Sequence, residues 1–134
     1  MSLTESCLAL AIASTVTAIA APSILRFRET YVLNAAAHDV ATKLYTARIH
    51  AITQDQDCRL RVSSTTSYLI ECGNAPWVVV DRVELSRGLT VTANARPEFH
   101  RRGNVSPTAT ISVWTASGRV KRIVINVNGR VRMQ

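Results

Sequence analysis

Residues Met1–Leu25 read MSLTESCLALAIASTVTAIAAPSIL, and this stretch decides the architecture. Ser6–Leu25 is a run of 20 residues with no charged side chain. At a helical rise of ~1.5 Å per residue it spans roughly 30 Å, the hydrocarbon thickness of a bilayer. The run is Ala-rich, with Ser6, Ser14, Thr15, Thr17 and Ser23 inside it, so it is only moderately apolar. Small residues let helices approach closely. Three readings compete. A buried helix of a soluble domain would need protein on every side of 20 residues, which a chain of 134 residues rarely provides. A cleaved secretory signal is suggested by the small residues of Ala18-Ile19-Ala20, but the first six residues carry Glu5 and no Lys or Arg. A retained membrane helix accounts for both features. Glu5 at its N-terminal edge is favoured by the helix dipole and costly in lipid unless paired.

Helical periodicity continues beyond Pro22. Leu25, Val32, Ala36, Val40, Leu44, Ala47 and Ala51 recur at spacings of three, four and seven, an apolar stripe on one helix face. Arg26, Arg28, Glu29, Asp39 and Lys43 lie off it, and Asp55 and Asp57 with two Gln end it. One helix is therefore expected from near residue 3 to about 53. Pro22 donates no N–H and should kink or loosen it.

From Cys58 the pattern changes to short strands. Cys58–Val62 and Tyr68–Cys72 flank a polar turn, Ser63-Ser64-Thr65-Thr66-Ser67. Trp77–Val80, Leu89–Ala93, Thr110–Trp114 and Val120–Val127 follow, and residues 96–107 read as a loop with Pro97, Gly103 and Pro107. Asn128-Gly129 signals a turn before Val131. Cys58 and Cys72 are equidistant from Thr65, so a hairpin centred there places them opposite each other, close enough for a disulfide. Two free core thiols are the alternative. Cys7 reads as a small apolar residue of the membrane run. No zinc site is expected, because the Cys spacing does not suit one and His38, His50 and His100 are scattered. Asp55 and Asp57 read as a solvated helix end.

The N-terminal residues resemble those of type IV pilins and type II secretion pseudopilins. The resemblance rests on Ser2-Leu3-Thr4-Glu5, the apolar run and Pro22. In that family an acid falls at mature position five and a proline at twenty-two. The usual first residue is Phe, from which Met1 departs. No short basic leader precedes Met1, so the chain resembles the processed form. The resemblance implies that Glu5 neutralises the N-terminal amine of a neighbouring subunit, making Met1 and Glu5 filament-assembly residues. It implies an α+β, pilin-like fold, a long N-terminal α-helix packed on a small antiparallel β-sheet domain. Residues 1–25 would be the membrane and assembly half of the helix, and residues 26–134 the periplasmic domain.

The remainder resembles the GspH/FimT subgroup of minor pilins. Ala47-Arg48 with Ala51-Ile52, Phe99 followed by Gly103, the Thr110–Val113 strand, Ile123-Val124-Ile125 and the closing Gly129-Arg130-Val131-Arg132 carry this. FimT-like members imply DNA binding in natural transformation, with the Gly-Arg-x-Arg ending as the contact. GspH-like members imply a structural tip subunit of a type II secretion pseudopilus. The implied partners are DNA, other pilins and the inner membrane before assembly, with an extracellular pilus as destination.

Charge placement bears on this choice. Of the net +7, none arises before Arg96, where eight basic residues balance eight acidic ones. From Arg96 onward eight basic residues face Glu98 alone. That excludes a uniformly basic chain and points to an anionic partner for the C-terminal third. A three-residue loop Val127–Gly129 sets Ile125 opposite Val131 and Val124 opposite Arg132. Ile123, Ile125 and Val131 then face the core, and Arg122, Arg130 and Arg132 share the outer face. A strict two-residue turn would instead put Val127 and Arg130 on one face. Gly129 supplies the left-handed residue of the bulge. The candidate phosphate-binding residues are Arg101, Arg102, Arg119, Lys121, Arg122, Arg130 and Arg132, since guanidinium forks reach phosphate oxygens bidentately. With aromatics at 5% and Trp77 and Trp114 in apolar strands, backbone contact rather than base stacking is expected. A solvated, mildly basic face is the bland alternative. No nucleophile elbow, phosphate loop, His-Glu-x-x-His or dinucleotide motif is present, so no enzyme activity and no cofactor are expected.

Overall fold

The computed structural model describes residues 2–134. Met1, and with it any role of its amine, lies outside the described residues. One helix, α1, runs Leu3–Thr53. Among the described residues eight strands follow: β1 Cys58–Ser64, β2 Ser67–Cys72, β3 Val78–Glu84, β4 Leu89–Ala93, β5 Glu98–Phe99, β6 Ala109–Thr115, β7 Val120–Ile125 and β8 Val131–Met133. The chain divides into two compact units, one ending at Tyr31 and one covering Val32–Gln134.

The first unit is helix alone. Ser2 and Glu5 cap its start reciprocally: the Glu5 N–H reaches Ser2 Oγ at 3.4 Å, and the Ser2 N–H donates to Glu5 Oε2 at 2.9 Å. Ser14, Thr15 and Thr17 donate their hydroxyls back to carbonyls one turn earlier, which satisfies polar groups in an apolar setting. Leu8, Leu10, Ile12, Val16 and Ile19 are all exposed, as lipid-facing side chains would be. The helix continues through Pro22.

In the second unit the helix buries Leu33, Ala37, Val40, Ala41, Leu44, Ala47 and Ala51. The stripe begins one position off the expected one. Leu25 is exposed, and Val32 and Ala36 are only partly buried. From Val40 onward the expected residues hold. The strands form two four-stranded antiparallel sheets, in the orders β3-β2-β1-β5 and β4-β6-β7-β8. Both join the helix in a single core that includes Leu60, Tyr68, Ile70, Phe99, Val91, Ile111, Val113, Ile123 and Ile125. β5 lies within the stretch read as a loop and pairs with β1, Cys58 opposite Phe99. Phe99 is fully buried, and that anchors it. The run Val78–Val80 is exposed on edge strand β3 rather than buried.

The first hairpin sets Cys58 opposite Cys72. Their sulfurs are joined at 2.07 Å across a Cα separation of 4.1 Å. Beside them Glu71 is buried and held by Arg59 Nε at 2.7 Å and Arg61 Nη2 at 3.0 Å. Burial pushes the Glu71 carboxyl up, but the Arg59 and Arg61 bonds and charges outweigh it and hold it below the usual carboxylate range. The Arg59 guanidinium also stacks 4.1 Å from the Trp77 ring, so Trp77 covers an ion pair rather than filling the core.

Candidate nucleic-acid interface

The closing hairpin adopts the three-residue loop. Ile125 pairs with Val131, Val124 with Arg132 and Ile123 with Met133. The Asn126 N–H donates to the Arg130 carbonyl at 3.1 Å, and the Gly129 N–H returns to the Asn126 carbonyl at 2.9 Å. Asn126 Oδ1 also accepts the Arg130 N–H at 2.9 Å, which fastens both sides of the loop. Gly129 sits at φ +76°, the left-handed conformation that glycine accepts without penalty. Ile123, Ile125 and Val131 are buried, while Arg122, Arg130 and Arg132 are exposed. Arg122 exchanges backbone hydrogen bonds with Gln134, so it is the diagonal neighbour of Arg132 on the outer face. None of these three guanidinium groups forms an ion pair among the described residues, so their charge faces solvent undiminished.

The Arg101-Arg102 loop lies against this turn. The Val105 N–H donates to the Val127 carbonyl at 2.8 Å. The backbones of Gly103 and Gly129 are so close that a Cβ on Gly129 would stand 2.4 Å from the Gly103 carbonyl oxygen. Between them passes Arg48 from α1, whose Nη1 donates to the Gly129 carbonyl at 3.4 Å. Its Nε is buried without a partner. Arg48 thus binds two loops into one surface, a role that its spacing on the helix gives no hint of. The signal available in the sequence was two glycines in separate loops.

Arg119 and Lys121 lie elsewhere. Arg119 immediately precedes β7 and Lys121 lies at its start, a strand length or roughly 20 Å from the Val127–Gly129 loop. Lys121 shares its parity with buried Ile123, so it points to the opposite face from Arg122. The Arg101 loop is also less purely basic than its sequence. Arg101 Nη1 lies 3.9 Å from Asp55 Oδ2, and Asp57, Glu98 and His100 cluster beside it. Trp114 corrects the expectation of an apolar strand environment. It lies half-exposed on the face it shares with Ser112 and Arg122, its Nε1 donating to Thr92 Oγ1 at 3.2 Å.

The profile of the family described as "Type II transport protein GspH" matches residues 36–129. The chain belongs to the GspH family. It is a minor pilin or pseudopilin of the GspH/FimT type. Two solved structures share the fold of this GspH-family chain. The minor pseudopilin EpsH from the type II secretion system of Vibrio cholerae is 18% identical, with TM-score 0.67 over 76% of this chain and 95% of that one. The type IV minor pilin FimU of Pseudomonas aeruginosa is 18% identical, with TM-score 0.67 over 81% and 92%. No curated protein matches the sequence. Pilin membership implies assembly with other pilins, and the N-terminal apolar helix accords with a single-pass membrane anchor.

Proposed function

We propose that this GspH-family chain is a minor type IV pilin that captures extracellular DNA for natural transformation. Arg122, Arg130 and Arg132 grip backbone phosphates, with Arg101 and Arg102 beside them. Arg119, exposed in the turn that precedes β7, offers a second contact, with Lys121 beside it but turned to the face opposite Arg122. The observation that carries the reading is the register of the closing hairpin, which lines up on one exposed face three arginines that have no acidic partner among the described residues. Guanidinium groups so placed suit phosphate, and duplex DNA presents a phosphate about every 1.7 Å of axis. A track of roughly 20 Å along β7 spans about six base pairs. Recognition would be insensitive to sequence. Residues 1–25 hold the chain in the inner membrane with residues 26–134 periplasmic, until Glu5 meets the terminal amine of a neighbour in the filament.

The test is duplex binding by the full chain in neutral detergent across a salt series. Arg130→Ala/Arg132→Ala weakens binding to every sequence and flattens the slope of log K on log salt by roughly 1–2 units. No binding at about 50 mM salt refutes the proposal. The second reading is a structural pseudopilin of a type II secretion filament. The family description and the likeness to EpsH support it. It predicts no DNA binding and loss of protein secretion on deletion of the gene.

A further inference from the structure

Asp57, Glu98 and His100 converge from separate parts of the chain. Asp57 follows the end of α1, Glu98 opens β5, and His100 stands where β5 gives way to the Arg101-Arg102 loop. One ligating atom from each lies within 4.8 Å of the others. His100 Nδ1 is 3.5 Å from Asp57 Oδ1 and 3.9 Å from Glu98 Oε1. These separations exceed those of good hydrogen bonds. They approach the ~3.4 Å edge of a tetrahedron whose bonds to a central cation are ~2.0–2.1 Å. None of the three side chains makes a hydrogen bond among the described residues, so their lone pairs are uncommitted.

The backbone beneath them is well held. Asp57 precedes the bridged Cys58, and its carbonyl accepts the Gly73 N–H at 2.9 Å. Glu98 is paired across from Arg59. Glu98 and His100 are two apart, so they share a face. All three are half-exposed, which leaves an ion a way in. Glu98 is also the single acid after Ala95, and it is placed here rather than among the hairpin arginines.

We propose that Asp57, Glu98 and His100 form a site for a divalent first-row cation of the Zn²⁺ class, which pins the loop carrying Arg101 and Arg102. An imidazole nitrogen with two carboxylates suits Zn²⁺ better than Ca²⁺, which takes oxygen ligands. Three protein ligands leave a fourth position for water or an external oxygen donor. The ion cancels two of the carboxylates next to the loop and leaves Asp55 as the acid that faces Arg101. The site does not depend on the DNA reading. The neighbouring His50 is 3.6 Å from Cys58 Sγ, but that sulfur is bonded to Cys72 and offers no thiolate.

Titration of the full chain in neutral detergent with Co²⁺, without DNA, tests this. One Co²⁺ per chain gives a visible d–d band that Zn²⁺ abolishes in competition. His100→Ala and, separately, Asp57→Asn weaken binding on the order of tenfold or more, whereas His50→Ala leaves it unchanged. Far-ultraviolet circular dichroism establishes that each variant folds, and Glu98→Gln serves where one does not. Zn²⁺ also slows tryptic cleavage after Arg101 and Arg102 in the native chain and not in Asp57→Asn. A native chain that binds Co²⁺ no better than His100→Ala overturns the proposal. So does binding lost in His50→Ala instead.

Discussion

Gly129→Ala separates two reasons for a glycine in the closing turn. The first is conformational: φ at Gly129 is +76°, and an L side chain there costs about 1–2 kcal/mol. The second is space. The added Cβ would stand 2.4 Å from the Gly103 carbonyl oxygen and 2.9 Å from Arg48 Nε. The first distance is roughly 0.9 Å short of the ~3.3 Å at which carbon ordinarily meets a carbonyl oxygen. The obstacle is backbone, so the two loops must part, at a further cost of about 1–3 kcal/mol. The expected total is about 2–5 kcal/mol. Gly118 provides the control. Its φ is +91°, but nothing lies within 4 Å of its added Cβ, so Gly118→Ala shows the conformational cost alone. Urea unfolding of the full chain in neutral detergent, followed by tryptophan fluorescence, measures both. Gly129→Ala should lower the midpoint clearly more than Gly118→Ala. Equal midpoints would refute the steric argument and, with it, the idea that Gly129 brings the two basic loops together.

Arg48→Ala should loosen the same junction, speeding amide exchange at Gly103, Val105 and Gly129 by roughly tenfold while leaving the β1–β2 hairpin unchanged; a uniform change across the domain would count against a local clamp. Cys58→Ser/Cys72→Ser opens a loop with a sequence separation of 14 and should cost about 3 kcal/mol, read as a lower urea midpoint that reducing agent no longer shifts. Glu71 has its carboxyl held down in the folded state, so its contribution is full above the ordinary carboxylate range and is lost as pH falls through its folded value. The stability gap between native chain and Glu71→Gln should therefore be wide at about pH 6 and narrow toward about pH 3; a gap that widens on acidification would contradict the sign. Where the arginine readings are concerned, Arg122→Ala should lower DNA affinity alongside Arg132→Ala without moving the urea midpoint, because neither side chain is buried.

By itself the sequence determined the elements that local periodicity controls. Twenty uncharged residues and a repeating apolar stripe dictate one long helix, and alternation with a left-handed glycine dictates the register of the closing hairpin. One-residue slips are heavily penalised there, because they would bury Arg130 and Arg132. The start of the stripe was less legible. Leu25 and Leu33 are equally apolar, and only the presence of strands beneath Leu33 buries one and leaves the other exposed. The division into two sheets, the hidden strand β5 and the exposure of Val78–Val80 likewise depend on which strand finds an edge. The candidate site divides in the same way. Arg122, Arg130 and Arg132 come together within a single hairpin. Arg48 meets Gly129, and Asp57 meets His100, only because the chain folds back across 81 and 43 positions. Such meetings leave no spacing in the sequence, since the geometry that joins them belongs to the packed core.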